Sequence, residues 1–239
     1  MRKIFLFCML IPALGISQTK NVISSFRVTP KADKVVEFEK ALAAHAQKYH
    51  SGDWKWRVFE VQTGPDYGAF HVSEGPASWE AMDSRGDISA EHILDWNKNV
   101  MPLTTGAGTS TYSQYNADMS TAQLTDYTDK IVINHIYPKP GMLAAATDIT
   151  KKLKKVWAAN NESVAVYSVI ASGEPQIVTV TRLKGGLKEL DPTAKKPIAE
   201  RYNAVYGNGA WDEYLKISNE SIDRRWSEIL FLRADLSSK

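Results

Sequence analysis

The chain has 239 residues, a formal net charge of +2, and 44% hydrophobic, 23% charged and 10% aromatic residues. This is the composition of a folded globular chain of one or two domains, and it excludes a disordered or collagen-like protein. Positions 1–17 hold two basic and no acidic residues, so the remainder carries 27 Lys+Arg against 27 Asp+Glu. A neutral chain without a long basic run is a poor partner for a phosphate backbone, so no nucleic acid is expected.

The chain opens on Arg2 and Lys3, followed by an apolar run over 4–16 that is too short to span a membrane. Gly15 and Ser17 are the small residues at −3 and −1 of a cut before Gln18. The expectation is a signal peptide over 1–17 and an exported chain, periplasmic or extracellular, with no stable membrane anchor. Cys8, the single cysteine, leaves with it, so no disulfide and no lipidated cysteine are expected.

After the leader, 22–29 reads as a strand ending at Pro30. A helix follows over 31–50, with Val35, Phe38, Leu42, Ala46 and Tyr49 on one face. Strands over 54–63 and 68–73 flank a hairpin loop, Gly64-Pro65-Asp66-Tyr67. A helical region over 77–100 and a weaker strand over 109–115 complete the first half. The second half reads as strand 130–137, helix 141–158, strands 163–171 and 176–183, helical region 187–225 and strand 228–234. A glycine break, Gly207-Asn208-Gly209, interrupts its long helical region. Lys151, Lys152, Lys154 and Lys155 interleave with Ile149, Leu153 and Val156 at helical spacing and read as a solvated face. Segments 104–111 and 118–129 read as polar connectors.

Both halves run β-α-β-β-α-β. Segment 23–83 lies on 131–191 with a constant shift of 108, matching Ile23/Ile131, Pro30/Pro138, Val58/Val166, Val61/Val169 and Val72/Val180 among others. The expected fold class is α+β: two tandem ferredoxin-like repeats, 21–116 and 130–236, joined by a linker over 117–129 and packed sheet to sheet as a barrel. This order resembles the dimeric α+β barrel superfamily in tandem form, which includes antibiotic-biosynthesis-type monooxygenases, muconolactone isomerases, NIPSNAP-like proteins and chlorite dismutase-like haem proteins. The closing run from Trp226 to Ser237 also resembles the end of secreted bacterial proteins of this type. The resemblance implies a barrel that takes a small molecule and does not fix a reaction.

No HExxH, cysteine pair, phosphate loop or Gly-x-Ser-x-Gly elbow is present, so no metal and no cofactor are expected. The haem-binding members of the superfamily place an axial histidine in the second half. His135, the single histidine after residue 92, lies on a strand and does not match that helical position. Strand alternation is more informative. Phe59, Val61, Phe70 and Val72 are assigned to the helix side. A four-residue loop pairs positions that sum to 131, setting Glu60 opposite His71, and the shift of 108 sets Ser168 opposite Thr179. The inward face then gathers Arg27, Glu60, His71, Ser73, His135, Ser168, Thr179 and Thr181 as candidate ligand-binding residues. Buried charges are costly unless paired, so these groups either satisfy one another or line a wet cavity. The favoured reading is an exported protein that binds a small molecule in its barrel without a cofactor. The alternative is a cofactor-free monooxygenase or isomerase, with His71 as base and Arg27 stabilising an anionic intermediate. His45, His50 and His92 read as solvated surface histidines.

Overall fold

The computed structural model describes residues 19–239, so the expected signal peptide lies outside the described residues. The elements run β1 (Val22–Pro30), α1 (Val35–Tyr49), β2 (Trp56–Val61), β3 (Phe70–Ala77), α2 (Trp79–Ser84), α3 (Ala90–Asp95) and β4 (Thr104–Tyr115). They continue with β5 (Lys130–Pro138), α4 (Leu143–Ala159), β6 (Val164–Ile170), β7 (Gln176–Arg182), α5 (Ile198–Tyr206), α6 (Ala210–Ser221) and β8 (Ile222–Leu232). The strands close into one barrel in the order β1-β3-β2-β8-β5-β7-β6-β4, and every pairing is antiparallel. Closure leaves no free sheet edge. Among the described residues no helix is long and apolar enough to cross a membrane.

The helices cover the outside. On α1, Phe38, Leu42 and Ala46 are fully buried and pack with Val58, Phe70 and Val72 of the sheet. Each large apolar side chain so buried contributes on the order of 1.5–3 kcal/mol. On α4, Ala146, Ile149, Val156 and Trp157 do the same against Ile177 and the helices α5 and α6. Lys151, Lys152 and Lys155 are exposed, as the spacing predicts. A third apolar cluster lies inside the barrel, from Phe59, Val61, Ala69, Ile131, Ile133 and Leu230.

The helical regions are more broken than the apolar pattern suggests. Ser78 and Ser89 each start a short helix, accepting from the Ala81 and His92 backbone N–H. Gly86, with φ +55, lies in the break between those helices. In the second half Gly207 and Gly209, at φ +99 and +81, end α5 and start α6. β4 and β8 begin earlier than expected, and segment 118–129 is less polar in role than in composition, since Met119 and Ala122 are buried. Gly108 permits the close contact of β1 and β4: a Cβ there would lie 2.5 Å from the Arg27 carbonyl oxygen.

Candidate functional site

The barrel interior holds an open-mouthed cavity of about 560 Å³, within the size range of small-molecule sites. Strand alternation decides what lines it. β1 sends in Ile23, Ser25 and Arg27, β2 Arg57 and Phe59, and β3 His71 and Ser73. β5 sends in Ile131, Ile133 and His135, and β7 Gln176, Val178, Val180 and Arg182. Tyr127 of the connector, Tyr167 of β6 and Trp226 of β8 add aromatic wall.

A charged network crosses this interior. β1 and β5 stand half the barrel apart in strand order, yet Arg27 and His135 meet at one carboxylate, Glu228 of β8. Arg27 Nη1 donates to Glu228 Oε2 at 2.9 Å and its Nη2 donates to Oε1. Arg27 Nη1 also donates to Asp66 at 2.6 Å. His135 Nε2 lies 2.8 Å from Glu228 Oε1, and its ring stacks on Trp226 at 3.9 Å. The Glu228 side chain is fully buried. Burial opposes its ionisation, but the hydrogen bonds from His135 and Arg27 outweigh that and hold its pKa below the usual carboxylate value.

His71 pairs with Arg27 across β1 and β3. Its ring is enclosed by protein but faces the cavity, so it is half-buried rather than sealed. Burial, with the Arg27 charge adding to it, pushes its pKa down to about 3. Burial also pushes the Tyr167 hydroxyl up to about 12, keeping it a neutral donor.

Arg57 differs from Arg27. It donates to the Gly75 carbonyl at 3.1 Å and lies 3.7 Å over the Tyr127 ring. Among the described residues it forms no ion pair, and burial lowers its pKa.

Of the expected inward residues, Arg27, His71, Ser73 and His135 line the cavity. Glu60 does not. The hairpin pairs Phe59 with His71 and Glu60 with Phe70, a sum of 130. Gly68, at φ +82, forms a bulge: its N–H donates to Val61 O while Val61 N–H donates to Ala69 O. That one residue turns Glu60 outward, to Arg233 at 3.3 Å. Phe59 and Val61, assigned to the helix side, point inward instead.

Ser168 is misplaced by the same parity, since β6 matches β2 on the shift of 108. It pairs with Ile177, not Thr179, and faces outward to accept from Asn116. Thr179 and Thr181 fail for a second reason. Arg27 pairs with His71 but His135 pairs with Val178, so the shift is 135 − 27 = 108 at β5 and 178 − 71 = 107 at β7. The second hairpin is one residue shorter. Thr179 therefore corresponds to outward-facing Val72, is buried, and accepts from Asn134 at 3.1 Å. Thr181 shares its face and is not in the cavity wall.

Sequence reasoning missed Arg57, Arg182, Trp226 and Glu228. Alternation through Trp226, Glu228 and Leu230 was the available signal for β8, obscured by the late start assigned to that strand. His45 and His50 are also not surface residues: both are 1% exposed, and His92 is half-buried beside them. Burial lowers the pKa of all three imidazoles.

No protein-family model and no curated protein matches the chain. Solved structures do match in fold. A candidate monooxygenase from Lactobacillus acidophilus superposes with TM-score 0.52 at 12% identity, over 92% of this chain and 96% of that one. An anthrone oxidase-like protein gives 0.56 at 11%, over 90% and 92%. A chlorite dismutase mutant from Candidatus Nitrospira defluvii gives 0.56 at 8%, over 90% and 92%. These likenesses define the class by fold: an α+β protein with a closed eight-stranded antiparallel barrel.

The second-half histidine does not suit a haem. His135 has Nε2 on Glu228, and its Nδ1 is buried without a hydrogen-bond partner among the described residues, so neither nitrogen is exposed to the cavity.

Proposed function

We propose that this is an exported protein, built from two ferredoxin-like repeats over 21–116 and 130–236, whose barrel binds a small, partly apolar, anionic molecule without a cofactor. The element order, repeated on either side of 117–129, supports the repeat reading. The observation that carries the binding reading is Arg57, a half-buried guanidinium on an aromatic wall with no carboxylate partner among the described residues. A buried, unpaired charge is costly, and an anionic ligand group supplies the missing partner. Phe59, Tyr167, Val178 and Val180 suit an aromatic body.

Binding is favoured over catalysis by the state of the two groups assigned to chemistry. A histidine with a pKa of about 3 is a weak base at neutral pH. Arg27 is already held by Glu228 and Asp66.

The aromatic anion 1-anilinonaphthalene-8-sulfonate serves as the probe, read by its own fluorescence and by quenching of the protein's tryptophan emission. Saturable one-to-one binding is expected, weakened at least about tenfold, or 1.4 kcal/mol, in Arg57→Met. No saturable binding, or equal affinity in Arg57→Met, refutes the proposal.

A further inference from the structure

Outside the barrel, under the helices of the first half, three histidines converge. His45 lies on α1, His50 at its C-terminal cap and His92 on α3. One ring nitrogen from each falls within 4.8 Å of the others. His50 Nε2 and His92 Nε2 are 3.3 Å apart. That is about the separation of two donors on a tetrahedral zinc ion with Zn–N near 2.0–2.1 Å.

The surroundings fix which nitrogens are free. His45 Nδ1 lies 2.7 Å from Asp95 Oδ2, and His50 Nδ1 lies 3.1 Å from Glu74 Oε2. A carboxylate only accepts, so each Nδ1 carries the proton and each Nε2 a lone pair. This carboxylate–imidazole arrangement orients metal-ligating histidines generally. The carboxylates are themselves held: Glu74 accepts from Trp56 Nε1 and Arg85, each at 2.8 Å, and Asp95 accepts from Asn99 at 2.8 Å. Trp56 also stacks on His50 at 3.6 Å.

One donor nitrogen at the centre lacks a partner: among the described residues, His45 Nε2 is buried with no hydrogen bond. A lone pair left unpaired in an apolar surround is destabilising, and the fold does not require it. Helix α4 follows α1 on the shift of 108 and carries Leu153 where α1 carries His45, and Leu153 packs against the second-half core.

We propose that His45, His50 and His92 bind one divalent transition-metal ion, zinc foremost, leaving a fourth position for water. Three neutral imidazoles with an open position form a recognised zinc donor set, and imidazole also suits copper and nickel. Half-buried His92 provides the route of entry. The ion draws the ring nitrogens together from separations of up to 4.8 Å, a closure of up to about 1.5 Å to reach tetrahedral spacing. This departs from the sequence expectation of no metal, because these residues share no short motif.

The test is titration of the chelator-treated full chain with zinc by calorimetry, and with cobalt by visible absorption. One equivalent is expected, with the intense visible bands of tetrahedral cobalt and a raised melting temperature. His92→Ala and His45→Leu each weaken binding at least about a hundredfold. His92→Ala alters a half-exposed site, and His45→Leu installs the residue type that the second half tolerates, so at least one folded variant is available. Wild-type protein that binds no zinc, or variants that bind as tightly as wild type, overturn the assignment.

Discussion

Replacing Glu228 with Gln probes the centre of the barrel. The change keeps the shape and one acceptor oxygen but removes the charge that Arg27 and His135 share. Taking one partner from a buried ion pair costs about 3–5 kcal/mol. Here the lower end applies. The Arg27 side chain is 12% exposed to the cavity and keeps Asp66 at 2.6 Å. A loss of about 3 kcal/mol in a chain of this length lowers the melting temperature by roughly 6–12 °C.

Urea denaturation across a pH series provides the assay. The folded-state pKa of Glu228 lies below its unfolded value. Its stabilisation is therefore fully present above about pH 4.5 and is lost as pH falls through the folded value. The gap between wild type and Glu228→Gln is widest at neutral pH and narrows on acidification. No gap at pH 7, or a gap of constant size down to the lowest pH at which both remain folded, refutes the ion-pair reasoning.

His71 gives an independent acid dependence. Its folded pKa of about 3 lies far below the unfolded 6.5, so the unfolded chain takes up a proton first and stability falls with pH below 6.5. His71→Leu is expected to remove up to about 2 kcal/mol of that loss by pH 4.5, the cavity face of the ring limiting the effect; equal acid sensitivity in both proteins counts against it. Export is checked by N-terminal sequencing of protein expressed with its own leader: a mature start near Gln18 is expected, and soluble cytoplasmic protein with Met1 intact contradicts it.

The strands and main helices were legible because their apolar periods are clean. Phe38, Leu42 and Ala46 mark a helix face, and Phe26 and Val28 mark the outer face of β1, so alternation alone puts Arg27 on the inner face, where it and His135 line the cavity. Loop geometry was not legible. The bulge at Gly68 and the missing residue in the second hairpin each shift parity by one, and one residue turns every side chain of a strand over. The histidine cluster was hidden for another reason. His45 and His50 lie on or beside one helix, but His92 joins them only through the fold around Ser89, which no spacing rule encodes.

The register of the first hairpin links the two proposed sites. On β2, Trp56 and Val58 face the helices while Arg57 and Phe59 face the cavity. On β3, Glu74 faces out, holding His50 and Trp56, while His71 and Ser73 face in. One hairpin therefore presents the anion anchor on one face and the second layer of the three-histidine cluster on the other, with a single sheet between them. If Glu60 faced inward, Trp56 would turn into the barrel, lose its bond to Glu74 and its stack on His50, and carry Arg57 out of the cavity. The two proposals thus stand on one register, the pairing of Phe59 with His71. Each still depends on different side chains, so loss of anion binding in Arg57→Met leaves zinc binding as a separate question, and loss of zinc binding in His92→Ala leaves the cavity intact.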